Sequence, residues 1–183
     1  MNDGQKDIWC AEKCFFDVQN TYYMVMIMAN SILNHKKLLL VDDEPDVLQI
    51  LEEEILNSCP DCKIDKATNF ESAADLLKTR DYDIVVLDIM GVRGFDLLDI
   101  AVSENLKVVM LTANALTPKS FKKSYYKGAM LYLPKNKLNE IVSFLEDVLR
   151  YDRKLLWKRL AERHEELYTE DFKSIDWKTM GWY

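Results

Sequence analysis

The chain has 183 residues, 49% hydrophobic and 30% charged, a balance typical of a folded globular protein rather than a disordered one. Its 31 Asp and Glu residues outnumber its 24 Lys and Arg residues, and a net charge of −7 argues against nucleic acid as a partner. No stretch has the roughly 18 consecutive apolar residues of a membrane span, and the acidic residues before position 22 do not fit a secretory signal. We therefore expect a cytoplasmic protein with reduced thiols and no membrane partner.

Strand-like and helix-like segments alternate through the middle of the chain. The predicted strand Leu38–Val41 is followed by the helix Pro45–Asn57, Lys63–Ala67 by Phe70–Thr79, Ile84–Leu87 by Gly94–Glu104, Val108–Leu111 by Pro118–Tyr126, and Met130–Leu133 by Leu138–Arg150. Short apolar strands that alternate with amphipathic helices predict an α/β fold, in which a five-stranded parallel sheet is covered on both faces.

This pattern divides the chain into three parts. Residues 36–150 are expected to form one domain, and residues 1–35 an N-terminal arm that is either helical or poorly ordered. Residues 151–183 are expected to form a helical extension that prolongs the apolar stripe of the fifth helix and carries Trp157, Trp177 and Trp182. Such a density of aromatic residues must be buried somewhere, so we expect the extension to pack on the domain or to form a homodimer contact rather than a dedicated partner site.

The four cysteines form two close pairs, Cys10 with Cys14 and Cys59 with Cys62. A zinc site that joins the two pairs is one interpretation, and a redox pair is another. Only the second pair has the CxxC spacing, which alone is a weak signal. The preferred interpretation is that all four are ordinary thiols.

Polar side chains follow the predicted strands at their carboxyl ends. Asp42 and Asp43 follow the first strand, Asp88 the third, Thr112 the fourth and Lys135 the fifth. Any one of these aspartates could simply cap a helix, but the carboxyl ends of parallel strands meet at one edge of the sheet. Carboxylates that converge need a cation, and hard oxygen ligands favour Mg²⁺. A lysine and a hydroxyl beside them suit an anionic ligand, so the pattern predicts a site for a phosphoryl group.

The segments LLLVDDEPDVL, YDIVVLDIM, VVMLTA and GAMLYLPK resemble the receiver domain of two-component response regulators, over about Lys36 to Arg150. The resemblance implies a flavodoxin-like, doubly wound (βα)5 fold with strand order 2-1-3-4-5. It also implies that Asp88 accepts a phosphoryl group from a histidine kinase or a phosphotransfer protein, and that the output is contact with a downstream protein that the sequence does not name.

The same resemblance assigns roles to the other residues at the strand ends. Asp43, Asp88 and the backbone carbonyl of Met90 would bind Mg²⁺ directly, and Asp42 would bind it through water. Further roles are implied at three more positions: Lys135 would pair with the phosphoryl oxygens, and Thr112 and Tyr132 would move together as a switch.

The sequence departs from the family pattern in three places. The segment from Asp88 to Gly94 is about two residues shorter than the common form and lacks its proline, and Pro134 precedes Lys135 instead of following it. Met90 and Asn114 stand at positions thought to tune self-dephosphorylation. Because the Met90 side chain cannot orient an attacking water, we expect dephosphorylation to be slow.

Two other functions fit parts of the pattern. One is a Mg²⁺-dependent phosphatase with an aspartyl-phosphate intermediate, as in the haloacid dehalogenase class. Those enzymes need a second aspartate two residues after the nucleophile, where this chain has Met90, and a cap domain for which the chain has no room. The other is a degenerate receiver that acts as a scaffold, which the complete set of polar residues at the strand ends disfavours.

Overall fold

The computed structural model describes residues 31–113 and 118–163. Most of the predicted N-terminal arm and the last 20 residues lie outside the described part. The predictions made for Cys10, Cys14, Asn114, Trp177 and Trp182 therefore fall outside it as well.

Five parallel strands form a single sheet. The strands are β1 (Lys37–Val41), β2 (Lys63–Ala67), β3 (Ile84–Asp88), β4 (Lys107–Thr112) and β5 (Leu131–Pro134). Their order across the sheet is β2-β1-β3-β4-β5, so the predicted doubly wound fold is confirmed, with strand ends shifted by at most one residue. Strand β3 is buried along its whole length because it lies in the centre of the sheet.

Helices follow the strands in turn. They are α1 (Pro45–Ser58), α2 (Phe70–Thr79), α3 (Gly94–Ser103), α4 (Pro118–Tyr126), a 3₁₀ helix (Lys135–Glu140), α5 (Ile141–Arg150) and α6 (Arg153–Arg163). Local sequence explains where two of them begin. Pro45 occupies the first turn of α1, and the side chain of Asn69 caps α2 by accepting a hydrogen bond from the amide of Ser72 at 2.9 Å. None of the helices in residues 31–113 and 118–163 has the length and hydrophobicity that a membrane span requires.

The helices cover both faces of the sheet and bury two layers of apolar side chains. On one face, α2, α3 and α4 pack on alternate residues of the strands. On the other face, α1 and α5 pack on the residues between them. Alternation of side chains along each strand therefore supplies both layers, which leaves the carboxyl ends of the strands free to form a site.

The prediction of one helix from Leu138 to Arg150 was wrong. A 3₁₀ helix occupies Lys135–Glu140, and α5 begins only at Ile141. Within the 3₁₀ segment, Lys137 leaves helical geometry with φ −110° and ψ 18°, and its ammonium pairs with Glu140 at 3.0 Å. Side chains three residues apart eclipse in a 3₁₀ turn, which suits this ion pair.

The expectation that the extension continues the fifth helix was also wrong. Tyr151 is extended, with φ −113° and ψ 151°, and it ends α5. Asp152 then starts a new helix, because its carboxylate accepts a hydrogen bond from the amide of Leu155 at 3.0 Å. Helix α6 packs against edge strand β5, where Trp157 enters one apolar layer and Leu156 enters the other. It therefore closes the core at this edge of the sheet.

Candidate functional site

The ammonium of Lys135 lies among three carboxylates at the carboxyl edge of the sheet. Its Nζ is 2.8 Å from Oδ2 and 3.1 Å from Oδ1 of Asp42, 3.1 Å from Oδ1 of Asp88, and 2.8 Å from Oε1 of Glu44. Asp42 is fully buried and Asp88 is 2% exposed, whereas the Glu44 side chain is 60% exposed. The structure thus brings together three of the predicted residues, from β1, β3 and the end of β5.

The two oxygens of Asp88 have different surroundings. Oδ2 accepts hydrogen bonds from the backbone amides of Met90 at 2.7 Å and Gly91 at 3.1 Å. Oδ1 faces Lys135. The loop after β3 and the lysine therefore fix the carboxylate from opposite sides, which orients it without help from a side chain of the loop.

The short loop after β3 is tightly folded although it lacks a proline. Arg93 takes the left-handed conformation with φ 55°, and its guanidinium lies 4.2 Å from the ring centre of Phe70. Gly94 begins α3 directly behind Asp88, where an added Cβ would overlap the carbonyl oxygen of Asp88. Only glycine fits there, which explains how a loop of this length returns to the sheet.

The carboxylate oxygens at this edge of the sheet are the kind of ligand that a hard cation prefers. Oδ2 of Asp42 is buried and accepts no hydrogen bond, although it faces the lysine ammonium. The Asp43 carboxylate is packed against Gly91, where a Cβ would overlap it. Among the described residues no three His, Cys, Asp or Glu side chains already surround one point as a metal site, since Lys135 lies between Asp42 and Asp88. By donor chemistry the site fits Mg²⁺, with the lysine ammonium now supplying the positive charge.

Burial and hydrogen bonding have opposite effects on the pKa values of Asp42 and Lys135. Burial raises the pKa of Asp42 above its ordinary value, more than the hydrogen bonds from Lys135 and the Glu44 amide lower it. Burial would lower the pKa of Lys135, but its hydrogen bonds to Asp42, Glu44 and Asp88 outweigh burial and raise the pKa. Lys135 therefore stays charged at neutral pH, and an ionised Asp42 costs the folded state free energy.

We expect Asp42→Asn to change how stability depends on pH. A carboxyl group whose pKa is raised on folding stabilises the protein below its unfolded pKa, near 3.9, and loses that contribution as the pH rises through the folded pKa. The variant carries no such group, so its free energy of unfolding relative to wild type should increase between about pH 4 and pH 7. Urea unfolding at several pH values, followed by circular dichroism, measures the difference. A difference that is constant with pH would contradict this assignment.

Thr112 and Tyr132 lie side by side near the ends of neighbouring strands. Thr112 is 5% exposed and Tyr132 is 1% exposed. The Tyr132 hydroxyl is hydrogen-bonded to Thr112 and Ser120, although burial outweighs both bonds and raises the Tyr132 pKa. The predicted switch pair is therefore in contact, and Tyr132 occupies the buried position.

Sequence reasoning missed two contributors to this site. Glu44 was only part of an acidic run, yet it is the third carboxylate that contacts Lys135. Gly91 was not singled out, yet it donates its amide to Asp88 and leaves room for Asp43. The DDE run after β1 was a signal for the first. Nothing in the sequence marked the second, since the contact depends on how the loop turns.

Cys59 and Cys62 are buried, with 0% and 8% exposure, and both are free thiols. Their sulfurs lie 2.6 Å apart, and burial is the largest cause that raises the pKa of Cys62. A raised pKa keeps the Cys62 thiol protonated, which lowers its reactivity, and the interpretation of the pair as ordinary thiols stays a prediction. The zinc interpretation also needs Cys10 and Cys14, which lie outside the described residues.

Comparison with known proteins identifies the family. The model of the response regulator receiver domain matches residues 38–146. The chain belongs to the response regulator receiver family. It is therefore a receiver of the kind found in two-component systems, which favours the receiver over the phosphatase interpretation. A comparison with curated protein sequences gave no match.

Solved structures share the fold of this receiver. The signal receiver domain of a DNA-binding response regulator from Colwellia psychrerythraea 34H is 25% identical, with a TM-score of 0.58 over 63% of this chain and 99% of that chain. A two-component response regulator from Clostridium difficile is 24% identical, with a TM-score of 0.57 over 63% and 96%. A response regulator from Burkholderia pseudomallei, solved with a phosphorylated aspartic acid, a calcium ion and citrate, is 18% identical, with a TM-score of 0.59 over 70% and 75%.

Proposed function

We propose that this receiver is the phosphoacceptor of a two-component phosphorelay and that Asp88 takes the phosphoryl group. The observation that carries the proposal is the setting of Asp88. Its carboxylate lies at the end of the central strand, 2% exposed, with one oxygen held by two loop amides and the other facing Lys135. This arrangement presents a fixed oxygen nucleophile beside a permanent positive charge.

The donor is the phosphohistidine of a sensor histidine kinase or of a phosphotransfer protein. A carboxylate oxygen of Asp88 forms the new bond to phosphorus while the bond from phosphorus to the histidine nitrogen breaks. The electron pair of that bond returns to the imidazole ring, which takes a proton as it leaves. Lys135 neutralises the phosphoryl oxygens during the transfer.

Mg²⁺ is the cofactor that this chemistry calls for. Asp43, Asp88 and the backbone carbonyl of Met90 would hold it directly, and Asp42 through water. When bound, it supplies positive charge against which the carboxylates and the phosphoryl group can approach one another. The buried Oδ2 of Asp42, which faces only the Lys135 ammonium, and the contact of Asp43 with Gly91 support this assignment.

Lys135 must exchange partners when the phosphoryl group arrives. Its three N–H donors already face Asp42, Glu44 and Asp88. Glu44 is the partner that leaves at least cost, because its side chain is 60% exposed and water replaces the lysine. We infer that Glu44 keeps the lysine in place before transfer and releases it afterwards.

The signal leaves the receiver as protein contact in the cytoplasm, through the Thr112 and Tyr132 pair and either a downstream protein or a second copy of the chain. Neither nucleic acid nor membrane is part of this proposal. The Met90 side chain is 68% exposed beside Asp88 and offers no group that orients water. Self-dephosphorylation is therefore slow, and the signal persists.

Acetyl phosphate, a small-molecule phosphoryl donor, tests the function. The protein with acetyl phosphate and Mg²⁺ should gain one phosphoryl group by intact mass, because the Asp88 carboxylate faces Lys135 with one oxygen and is fixed by the amides of Met90 and Gly91 at the other. Hydroxylamine should remove this group, as expected of an acyl phosphate. Incubation with EDTA in place of Mg²⁺ is the control. No incorporation, or equal incorporation without a divalent metal, would overturn the proposal.

A further inference from the structure

Helix α6 is anchored by Trp157 on the side of the receiver that carries α4 and β5. The indole is fully buried and packs edge-on against Phe121 at 4.6 Å and Tyr125 at 5.3 Å between ring centres. Its Nε1 donates a hydrogen bond to the carbonyl of Ala129 at 3.1 Å. Arg153, at the start of α6, donates to the carbonyl of Tyr125 at 2.6 Å. The buried indole N–H and the Arg153 guanidinium thus both donate to backbone carbonyls of the receiver, and α6 is a specific ligand of this surface rather than a loose tail.

A continuous set of contacts joins this anchor to the phosphorylation site. Asp88 pairs in register with Leu111 of β4, which directly precedes Thr112. The Tyr132 hydroxyl is hydrogen-bonded to Thr112, and the Tyr132 ring lies edge-on to Phe121 at 6.0 Å between centres. Phe121 is the ring on which Trp157 packs. Two aromatic side chains, Tyr132 and Phe121, thus lie between the Thr112 hydroxyl and Trp157 of α6.

Docked α6 restricts Tyr132 to its buried position. Phe121 is fully buried and packs edge-on against both Tyr132 and Trp157, which are themselves buried. A movement of Tyr132 therefore changes the packing of the ring on which α6 is anchored. Close-packed side chains yield only as a group, so undocking α6 and releasing Tyr132 belong to one transition.

Phosphorylation favours the same position of Tyr132. A threonine hydroxyl has one hydrogen to donate and two lone pairs that accept. With a phosphoryl group on Asp88, Thr112 can turn its hydrogen to a phosphoryl oxygen, and its own oxygen then accepts a hydrogen bond from the Tyr132 hydroxyl. Hydrogen bonds in such a chain polarise and strengthen one another, so the buried position of Tyr132 becomes more stable.

We propose that α6 is a built-in activating ligand of this receiver, which stabilises the phosphorylated form by holding Tyr132 in its buried position through Phe121 and Trp157. This inference rests on the proposed phosphorylation of Asp88. Because coupling between two sites is reciprocal, occupancy of the Asp88 site must tighten the docking of α6 by the same factor by which docked α6 tightens the binding of the phosphoryl group.

Beryllofluoride, a phosphoryl mimic that needs no chemical step, measures this coupling. Calorimetric titration of the full chain with beryllofluoride and Mg²⁺ should give an affinity at least about fivefold weaker for Trp157→Ala than for wild type, the lower end of usual allosteric coupling. Trp157→Phe keeps an aromatic ring against Phe121, so its beryllofluoride affinity should lie between those of wild type and Trp157→Ala. Leu155→Ala, at an exposed position of α6, should match wild type. Leu77→Ala removes buried volume from α2, which packs at the β2 edge of the sheet while α6 packs at the opposite β5 edge, and it controls for a general loss of stability.

Hydrogen exchange on the unsubstituted chain gives a second measurement that does not depend on how the variants fold. Amides of Arg153–Arg163 should exchange several-fold more slowly with beryllofluoride and Mg²⁺ bound, while those of α2 stay unchanged. Equal beryllofluoride affinities of wild type and Trp157→Ala, together with unchanged exchange in α6, would overturn the role of α6 and leave the phosphoacceptor function intact. No beryllofluoride binding to wild type would overturn the proposed function, and the role of α6 with it.

Discussion

Replacing Asp88 with Asn is expected to abolish phosphorylation by acetyl phosphate, the largest effect that a single substitution should have on this protein. An amide nitrogen bears no charge and is a poor nucleophile, so the substitution removes the attacking oxygen while keeping the shape of the side chain. The amide oxygen can still accept the hydrogen bonds that Met90 and Gly91 now donate, so the loop should keep its fold. Intact mass after incubation with acetyl phosphate and Mg²⁺ measures the loss directly.

Asp99→Asn is the matched control for this substitution. Asp99 is another aspartate of the receiver, half exposed and paired with Lys127 at 2.5 Å, and it lies on α3 outside the site. Its replacement should leave phosphorylation at the wild-type level. Labelling that survives in the Asp88 variant would place the acceptor elsewhere, and hydroxylamine treatment followed by peptide mapping would show whether Asp42 or Asp43 had taken over.

The fold could be predicted from the sequence because its signals are local and repeated. The sequence of β3 is an unbroken apolar run because the strand is buried on both faces. A helix between each pair of strands requires right-handed parallel connections, which restricts the possible topologies. The errors lie near α5, where the periodicity of apolar residues continues through Tyr151 although the backbone turns there. An apolar stripe shows that a face is buried, but it does not show which surface covers it. The docking of α6 against β5 therefore had to come from the structure.

The sequence predicted which residues form the site, but it did not predict which side chains they contact. The register of parallel strands places Asp42, Asp88 and Lys135 at one edge whatever the side chains do. The partners of the lysine depend on side-chain length and burial, so the role of Glu44 was not visible. The tight loop through Gly94 was likewise hidden, because its shape follows from a backbone contact.

Total charge was a poor guide to one surface. Helices α4 and α6 together contain eight Lys and Arg against one Glu, although the whole chain carries −7. Among them Lys119, Lys123, Lys154 and Lys158 are exposed, on α4 and α6. Helices α4 and α6 therefore present a positive surface on an acidic protein. That nucleic acid is not a ligand stays a prediction.

Lys135→Met should destabilise the folded protein by about 3 kcal/mol at pH 7, the low end for breaking a buried ion pair because Glu44 opens the site to water. The substitution leaves Asp42 and Asp88 buried without their cation. At about pH 4 the loss should shrink, because buried carboxyl groups without a cation have raised pKa values and take up protons there. Urea unfolding followed by circular dichroism at both pH values measures the effect.

Lys137→Met provides the matched control, since Lys137 pairs with Glu140 on the surface at 3.0 Å and its loss should cost at most about 1 kcal/mol. Added Mg²⁺ should restore more stability to Lys135→Met than to wild type, because a divalent cation can replace the missing ammonium between the same carboxylates. Equal losses in the two lysine variants would mean that the ammonium of Lys135 does not hold the carboxylates together. A loss that did not respond to Mg²⁺ would show that the carboxylates cannot take up the cation that the proposed phosphoryl transfer to Asp88 calls for.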